Sequence, residues 1–315
     1  MANYLVTGGA GFIGSNIVRF LVNRGLDKVR VIDDLSSGRM INLNTLMDKI
    51  EFIQGDIRNI KTLKKAVDGI DYILHLAAIP SVPRSVLLPD LTNDVNINGT
   101  LNLLIAARDA KVKRVVFTSS SSIYGDSPVM PKVETMIPNP ISPYGIHKLT
   151  GEYYSKVFFQ LYGLETISLR YFNVFGPNQD PASEYAAVIP KFIKMILNDQ
   201  NPTIFGDGEQ TRDFTYVINV VKANILAAES KLDGYFGEVV NIACNDSISL
   251  NSLVDMINEI LGKNVKPTYL PVRAGDIKHS LAGIQKAKEI LNFSPEIMMK
   301  EGLQLTVNWY KNQNG

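Results

Sequence analysis

The stretch Tyr4-Leu5-Val6-Thr7-Gly8-Gly9-Ala10-Gly11-Phe12-Ile13-Gly14 decides the fold. Tyr4–Thr7 is β-prone and reads as a strand. The glycines after it satisfy both G-x-x-G-x-x-G and G-x-G-x-x-G. Glycine at these steps lets the backbone turn tightly and approach a pyrophosphate. A helix opening at Phe12 then supplies N–H groups and a positive dipole end. Alone, such a run is weak, because ordinary glycine turns also satisfy it. Here a strand precedes it and a helix over Phe12–Arg24 follows. A second strand, Val29–Ile32, delivers Asp33 about 20 residues beyond the last glycine, where a carboxylate accepts from adenosine ribose hydroxyls. That carboxylate repels a 2′-phosphate and favours NAD over NADP, although Arg39 close behind weakens the inference. Asp56-Ile57 follows a third strand, Glu51–Gln54, where a side chain reaches the adenine; the plainer reading of Asp56 is a helix N-cap or turn.

Working outward, short β-rich runs alternate with helical patterns. Leu63–Val67 reads as helix and Tyr72–Leu76 as strand. Asp90–Ala110 is a long helix, Arg114–Thr118 an apolar strand, Gly145–Tyr162 a helix and Glu165–Leu169 a strand. Such alternation implies a parallel sheet covered on both faces, the doubly wound α/β (Rossmann) fold. After Arg170 the pattern loosens. Asn173–Glu184 is loop-rich, Ala187–Leu197 helical, Gly206–Gln210 a turn, Phe214–Ser230 and Leu250–Leu261 helical, and Pro267–Pro271 an edge strand or loop. We expect residues 1–170 to form a dinucleotide-binding domain to which 214–242 returns. Residues 171–213 and 243–315 are expected to form a smaller, discontinuous α/β substrate domain.

Bulk properties narrow the function. The 315 residues carry a net charge of +1, with 45% hydrophobic and 20% charged residues. That is ordinary for a globular protein and unlike a general polyanion binder, so no nucleic-acid partner is expected. The N-terminus reads as a strand, not a signal peptide, and no apolar run approaches the ~18 residues of a membrane helix. A single cysteine, Cys244, precludes an internal disulfide, reads as a small core residue, and fits a reducing, cytoplasmic setting. His75, His147 and His279 are too scattered for a metal site; His75 reads as core and His147 as helix surface.

Chemistry enters with Tyr144 and Lys148, a Y-x-x-x-K pair opening a helix after Ser142-Pro143. Side chains at i and i+4 share a face. The pair alone is unremarkable in a chain with this many tyrosines and lysines. Its place after the fifth strand and the serine run Ser119–Ser122 strengthens it. A free phenol, with a pKa near 10, is a poor base at neutral pH, but a neighbouring ammonium and a positive nicotinamide favour the phenolate. Tyr144 is therefore the candidate base for a hydroxyl proton, Lys148 its cationic neighbour and holder of the nicotinamide ribose, and Ser120 the hydroxyl that orients the reacting oxygen. Ser119 and Ser121 remain rivals to Ser120.

Together with His75-Leu76-Ala77-Ala78, Asn98-Gly99-Thr100, Tyr124-Gly125 and Ser142-Pro143-Tyr144, these motifs resemble the extended short-chain dehydrogenase/reductase family over essentially the whole chain. Arg170-Tyr171-Phe172-Asn173-Val174-Phe175-Gly176-Pro177, Arg212-Asp213-Phe214 and Arg273-Ala274-Gly275-Asp276 look most like its UDP-sugar 4-epimerases. Ser81-Val82-Pro83-Arg84-Ser85, Tyr185-Ala186-Ala187-Val188-Ile189-Pro190-Lys191 and His279-Ser280 are similar to those acting on UDP-N-acetylglucosamine. The resemblance implies catalytic roles for Ser120, Tyr144 and Lys148. For NAD it implies Gly8, Gly11, Phe12, Ile13, Gly14, Asp33, Asp34, Ser37, Gly38, Asp56, Ile57, Leu76, Ala77, Ala78, Tyr144 and Lys148, with Phe172 against the nicotinamide. For the UDP-sugar it implies Ser81, Ser120, Ser121, Tyr144, Asn173, Arg212, Arg273, Asp276 and Ser280, with Ala187, Val188, Thr203 and Phe205 on the nucleotide wall.

The family's dehydratases carry an Asp-Glu pair directly after the catalytic hydroxyl residue. Here those positions are Ser121 and Ser122, so elimination of water lacks its groups. The expected reaction is 4-epimerisation through a transient 4-keto sugar by a homodimer joined through Asp90–Ala110 and Gly145–Tyr162. A UDP-uronic-acid epimerase or decarboxylase on the same scaffold is the alternative, with Arg84 the candidate for the sugar carboxylate. A net dehydrogenase would consume NAD⁺ stoichiometrically. A nucleotide-sensing module would not need Ser120, Tyr144 and Lys148 intact. The arginines have plainer readings too: Arg212 pairs with Asp213 or another carboxylate, and Arg273 is solvated.

Overall fold

The computed structural model describes residues 1–180, 187–232, 234–272 and 278–313. Seven parallel strands form the central sheet: β1 (Asn3–Thr7), β2 (Lys28–Asp33), β3 (Ile50–Gln54), β4 (Tyr72–His75), β5 (Arg114–Ser120), β6 (Glu165–Tyr171) and β7 (Val239–Ile242). Their spatial order is β7-β6-β5-β4-β1-β2-β3. The chain runs outward from β1 to β3 and then crosses back to β4, so the order reverses between β1 and β4. The crevice beyond the carboxyl ends of those two strands is where open α/β sheets bind ligands.

Both faces are buried, which explains the near-continuous apolar strands. Along β1, Tyr4 and Val6 enter one core, shared with α1 (Phe12–Arg24) and a later helix, Val217–Glu229. Leu5 enters the other, under α2 (Ile60–Ala66) and the helix Gly99–Asp109. The second core also takes Phe158 from a 20-residue helix, Pro143–Tyr162, which packs on β5 and β6. Between α2 and Gly99–Asp109 lies the short α3 (Val82–Leu87). We number the longer helices α4 (Gly99–Asp109), α5 (Pro143–Tyr162), α6 (Val188–Leu197), α7 (Val217–Glu229), α8 (Leu250–Leu261), α9 (Gln285–Leu291) and α10 (Met299–Gln313). No described helix is long and apolar enough to cross a membrane.

The expected alternation is present, with four differences. The long helix over Asp90–Ala110 contains a π-turn, Asp94–Asn98. The run expected as helix from Phe214 begins with a strand pair, Thr215–Tyr216 beside Val174–Phe175, and turns helical only at Val217. β7, which closes the sheet edge beside β6, shows no periodicity long enough to separate it from loop. The helices α9 and α10 also escaped the sequence reading. Thr268–Leu270 is a strand, paired with Thr203–Phe205. The helices α6, α8 and α10 pack on one another, and their core is continuous with the α1–α7 face of the sheet through Phe192, Ile193, Leu253 and Leu303.

Candidate active site

The glycine run forms a cradle at the switch point. Gly8 adopts φ +68°, and a Cβ there would lie 2.8 Å from the Ala77 nitrogen. A side chain would therefore wedge apart the exits of β1 and β4. At the N-terminus of α1, Gly11 is the N-cap, no side chain caps the helix, and its first turn holds no acidic residue. That end is suited to receive an anion. Phe12 and Ile13 are half-buried there and Gly14 is buried. Asp33, at the tip of β2, is buried and accepts from the Ala10 and Leu35 N–H groups at 2.9 Å each. Burial raises its pKa against those two hydrogen bonds. A Cβ on Gly38 would come within 2.7 Å of the Asp33 carboxylate, so glycine there keeps the carboxylate approachable. Asp34 instead accepts from the Ser36 N–H and hydroxyl, and Ser37 is exposed. Arg39 pairs with Asp180.

Opposite lies the turn Leu76-Ala77-Ala78, half-buried after a fully buried strand. A polar relay holds it. Leu76 and Ala77 donate their N–H groups to Thr7 Oγ1 at 3.1 and 3.0 Å. The Thr7 hydroxyl then donates to His75 Nδ1 (2.8 Å), and His75 Nε2–H donates to Thr100 Oγ1 (3.0 Å). Thr100 donates in turn to the Asn96 carbonyl at 2.7 Å. The directions fix a neutral imidazole, and burial, aided by the nearby Lys148 charge, pushes the His75 pKa down to about 3.

Asp56 is engaged by Arg58, which also reaches Asp94; the Arg58 hydrogen bond holds the Asp56 carboxyl below its usual range. It also accepts from the Arg58 N–H in a turn, and Asn59 is the cap of α2. Ile57 is buried against Gly99, where a Cβ would meet its Cδ1 at 2.6 Å.

The reacting groups come from β5 and α5. Ser142 caps α5, accepting from Gly145 N, so Tyr144 lies in the first helical turn. Its N–H donates to Ser85 Oγ of α3 at 3.0 Å. The nearby Ser120 hydroxyl favours the Tyr144 phenolate, but burial prevails and pushes the pKa up to about 12. Lys148 is buried and donates to the Thr118 carbonyl at 2.7 Å, with Nζ 5.9 Å from the centre of the Tyr144 ring. Burial drives its pKa down to about 8, while Glu152 opposes that fall. Among the protein's own groups, desolvation is the largest influence on the phenol. Ser119 points elsewhere, to Glu152, and Ser121 opens a 3₁₀ turn, Ser121–Tyr124.

His147 is a further correction. It is buried and lies 3.4 Å from Asn96 Nδ2, with burial lowering its pKa. The π-turn aims Asn96 inward, where it also accepts from Ile79 N and donates to Ile79 O. Phe172 is wholly enclosed, its ring 6.1 Å from that of Tyr124, and presents no open face towards a nicotinamide.

On the far side, Asn173 holds an uncommon φ of +33° and donates to the Asp213 carbonyl. Arg212 does not pair with Asp213. Its Nη1 donates to the Thr211 and Lys278 carbonyls, whereas the Asp213 carboxylate accepts from Cys244 and Ala282 N–H groups and is raised by burial to about 6. Ser280 lies beside this strand, its N–H donating to Thr211 O at 3.1 Å. Ala187 caps α6, and Val188 begins it. Thr203 and Phe205 lie half-buried on their strand. Ser81 caps α3. Arg273 and Asp276 lie outside the described residues. Among the described residues, no cluster of three or more His, Cys, Asp or Glu is placed to hold a metal ion.

Sequence reasoning missed Glu152, Arg170, Thr7 and Asn96. Glu152 carried a signal in its i+4 spacing from Lys148, and Thr7 and Arg170 lie within the quoted motifs; Asn96 carried none.

Comparison with known proteins agrees with this geometry. A family model described as the NAD dependent epimerase/dehydratase family matches residues 4–243. The structure of a UDP-N-acetylglucosamine 4-epimerase from Methanobrevibacter ruminantium M1, in complex with UDP-N-acetylmuramic acid, is similar over 99% of each chain, with 46% identity and a TM-score of 0.94. The UDP-glucuronate 4-epimerase of Thermodesulfobacterium geofontis is 39% identical over 99% of this chain and 97% of its own. The UDP-glucose 4-epimerase of Mycolicibacterium smegmatis is 39% identical over 98% of this chain and 99% of its own. With a glycine cradle, a buried carboxylate at the tip of β2 and a tyrosine–lysine helix on one sheet, the chain belongs to the NAD dependent epimerase/dehydratase family.

Proposed function

We propose that the chain is an NAD-dependent 4-epimerase that interconverts UDP-GlcNAc and UDP-GalNAc, with UDP-glucose and UDP-galactose as further substrates. The observation that carries this is the placing of Tyr144 beside Lys148 and near Ser120, followed by serines where an eliminating enzyme needs acids. The cradle fits NAD: Gly8 and Gly38 sit where a Cβ would clash, the α1 N-terminus has no side-chain cap, and Asp33 is aimed by two backbone donors. Bound there, NAD supplies the acceptor and returning donor of a hydride and, when oxidised, a ring charge that favours the phenolate.

Tyr144 takes the proton of the sugar 4-hydroxyl as that carbon is oxidised, and Ser120 orients the oxygen. After the 4-keto sugar turns about its link to the diphosphate, Tyr144 returns the proton to the O4 oxygen as that carbon is reduced on its opposite face. This requires firm contacts to UDP and loose ones to the hexose. We assign the UDP contacts to Asn173, Arg212, Arg273, Asp276 and the wall of Ala187, Val188, Thr203 and Phe205. We read residues 1–170 with 214–242 as the cofactor domain and the remainder as the substrate domain. Ile146, Tyr153, Val157 and Leu161 form an exposed apolar stripe at helical spacing on α5, which supports a homodimer through this face. The lone, buried Cys244 supports a reducing, cytoplasmic setting.

A UDP-uronate reading has one observation in its favour. Arg84 takes part in no ion pair among the described residues, and its neighbour Ser85 holds the Tyr144 N–H. Product analysis separates the readings. Incubation with each UDP-sugar should yield both C4 epimers of the acetylated hexoses with no net NADH. Conversion of uronates alone, or NADH accumulating in proportion to product, would overturn the proposal.

A further inference from the structure

The strand that ends at Ser120 is tied to three successive turns of α5. The Thr118 carbonyl accepts from Lys148, the Ser119 hydroxyl donates to Glu152 Oε1 at 2.6 Å, and Ser120 lies near Tyr144. Glu152 is buried and takes a bidentate pair from Arg170 of β6: Nε to Oε1 and Nη2 to Oε2, both at 2.8 Å. The Arg170 guanidinium also lies 4.8 Å over the ring of Tyr124, which closes the 3₁₀ turn directly after Ser120. The pair therefore touches the residue before Ser120 and the turn after it.

Stability does not explain such a pair. Two charges buried together recover little more than their desolvation cost, and apolar isosteres often do as well. Here Arg170 Nη1 is moreover buried without a partner, a further expense. What the pair supplies is geometry. Strand and helix come from different parts of the chain, and a hydroxyl held by a fork-shaped, two-bond ion pair cannot slide relative to the helix.

We infer that Glu152 and Arg170 are positioning residues of the active site, which hold Ser120 in register with Tyr144 and Lys148. This rests on the reading of Tyr144 as the base. The groups facing Glu152 are Lys148 on its own helix, Ser119 on β5 and Arg170 on β6, with Tyr124 beyond Arg170. Lys148 is in turn sensed by His75 and His147.

The test compares Ser119→Ala, Glu152→Gln and Tyr144→Phe in the full chain, measuring kcat, KM and the pH–rate profile. Ser119→Ala removes one bond and no charge; it should lower kcat about 10-fold, the scale of a hydrogen bond to a charged group, with KM and profile unmoved. Glu152→Gln leaves Arg170 uncompensated. It should lower kcat roughly 10²-fold, as small misplacements do, and shift the acid limb to lower pH, because excess positive charge favours the phenolate. Parental kcat in Ser119→Ala overturns the inference, even if Glu152→Gln fails to fold. So does an unmoved acid limb in a folded Glu152→Gln protein. Tyr144→Phe keeps the questions apart: near-parental turnover there removes the base assignment itself, whereas its collapse beside an unaffected Ser119→Ala removes only the positioning role.

Discussion

Lys148 donates a hydrogen bond to the backbone carbonyl of Thr118, at 2.7 Å, while its Nζ stays 5.9 Å from the centre of the Tyr144 ring. The lysine thus acts on the tyrosine as a nearby charge anchored to β5. Its anchorage in a buried place also weakens its hold on its own proton, with a pKa near 8.

The sign of the resulting pH dependence follows. Lys148 loses its charge as pH rises through about 8, and the phenolate then loses its cationic neighbour. We expect kcat/KM of the parent to fall above that pH. Lys148→Met should lack this alkaline limb, have a lower rate throughout, and show an acid limb displaced to higher pH. Profiles recorded from pH 6 to 10 decide it; superimposable parent and variant curves would refute the assignment.

A second prediction concerns the relay at the cradle. Thr7→Val is nearly isosteric, yet removes the side-chain acceptor of the Ala77 N–H, one of the two acceptors of the Leu76 N–H, and the donor to His75. Leaving such groups unsatisfied should cost about 1–3 kcal/mol each where water cannot reach them. Chemical denaturation should report the loss, and NAD titration should show weakened binding with UDP affinity retained. Unchanged NAD affinity would mean that the relay does not hold the cofactor turn.

The third tests cofactor choice. Asp33 is fixed by two N–H groups, and Arg39, the candidate phosphate partner, is paired with Asp180. Protein stripped of nucleotide should bind NAD more tightly than NADP. Asp33→Asn, which removes the charge but keeps an acceptor, should narrow that preference by about 10-fold, the scale of one close charge repulsion in a partly exposed site. Tighter binding of NADP by the parent would reverse the assignment.

How much was legible in the sequence depended on how local the determinant is. The cradle, Asp33 and the Tyr144–Lys148 face are set by residues a few positions apart, or by a strand–helix repeat, and the order of residues displays both. The burial of His147 is not displayed. An imidazole two residues inside a helix reads as surface unless one knows that a π-turn some 50 positions earlier turns Asn96 towards it. The Glu152–Arg170 pair likewise joins a helix to a strand, and each residue alone looks like an ordinary surface charge. The phenol divides in the same way: proximity of Lys148 can be read from spacing, whereas desolvation of the ring belongs to the packed site.

The last prediction concerns the sugar. Ser280 follows the bridge between Thr211 and His279, and its N–H is fixed to the Thr211 carbonyl. It therefore stands beside Arg212, on the segment that leads to the buried Asp213. Its backbone is pinned by strand-like pairing and its side chain is half-buried, so a larger side chain would project into the neighbouring space without remaking the fold. A small residue here leaves room for an acetamido group at C2 and offers it a hydroxyl; an aromatic ring would fill that room. Ser280→Tyr should therefore lower kcat/KM for UDP-GlcNAc and UDP-GalNAc by roughly 10²-fold or more, as expected when a group no longer fits and its polar partner is lost. Activity on UDP-glucose and UDP-galactose should be retained or rise relative to it. The measurement is kcat/KM on both substrate pairs, in parent and variant. If the serine merely caps the following turn, both pairs will suffer equally, and the acetamido pocket must be sought elsewhere. A parent that turns over only the plain hexoses would be equally decisive, because no pocket for the acetyl group would then need explaining.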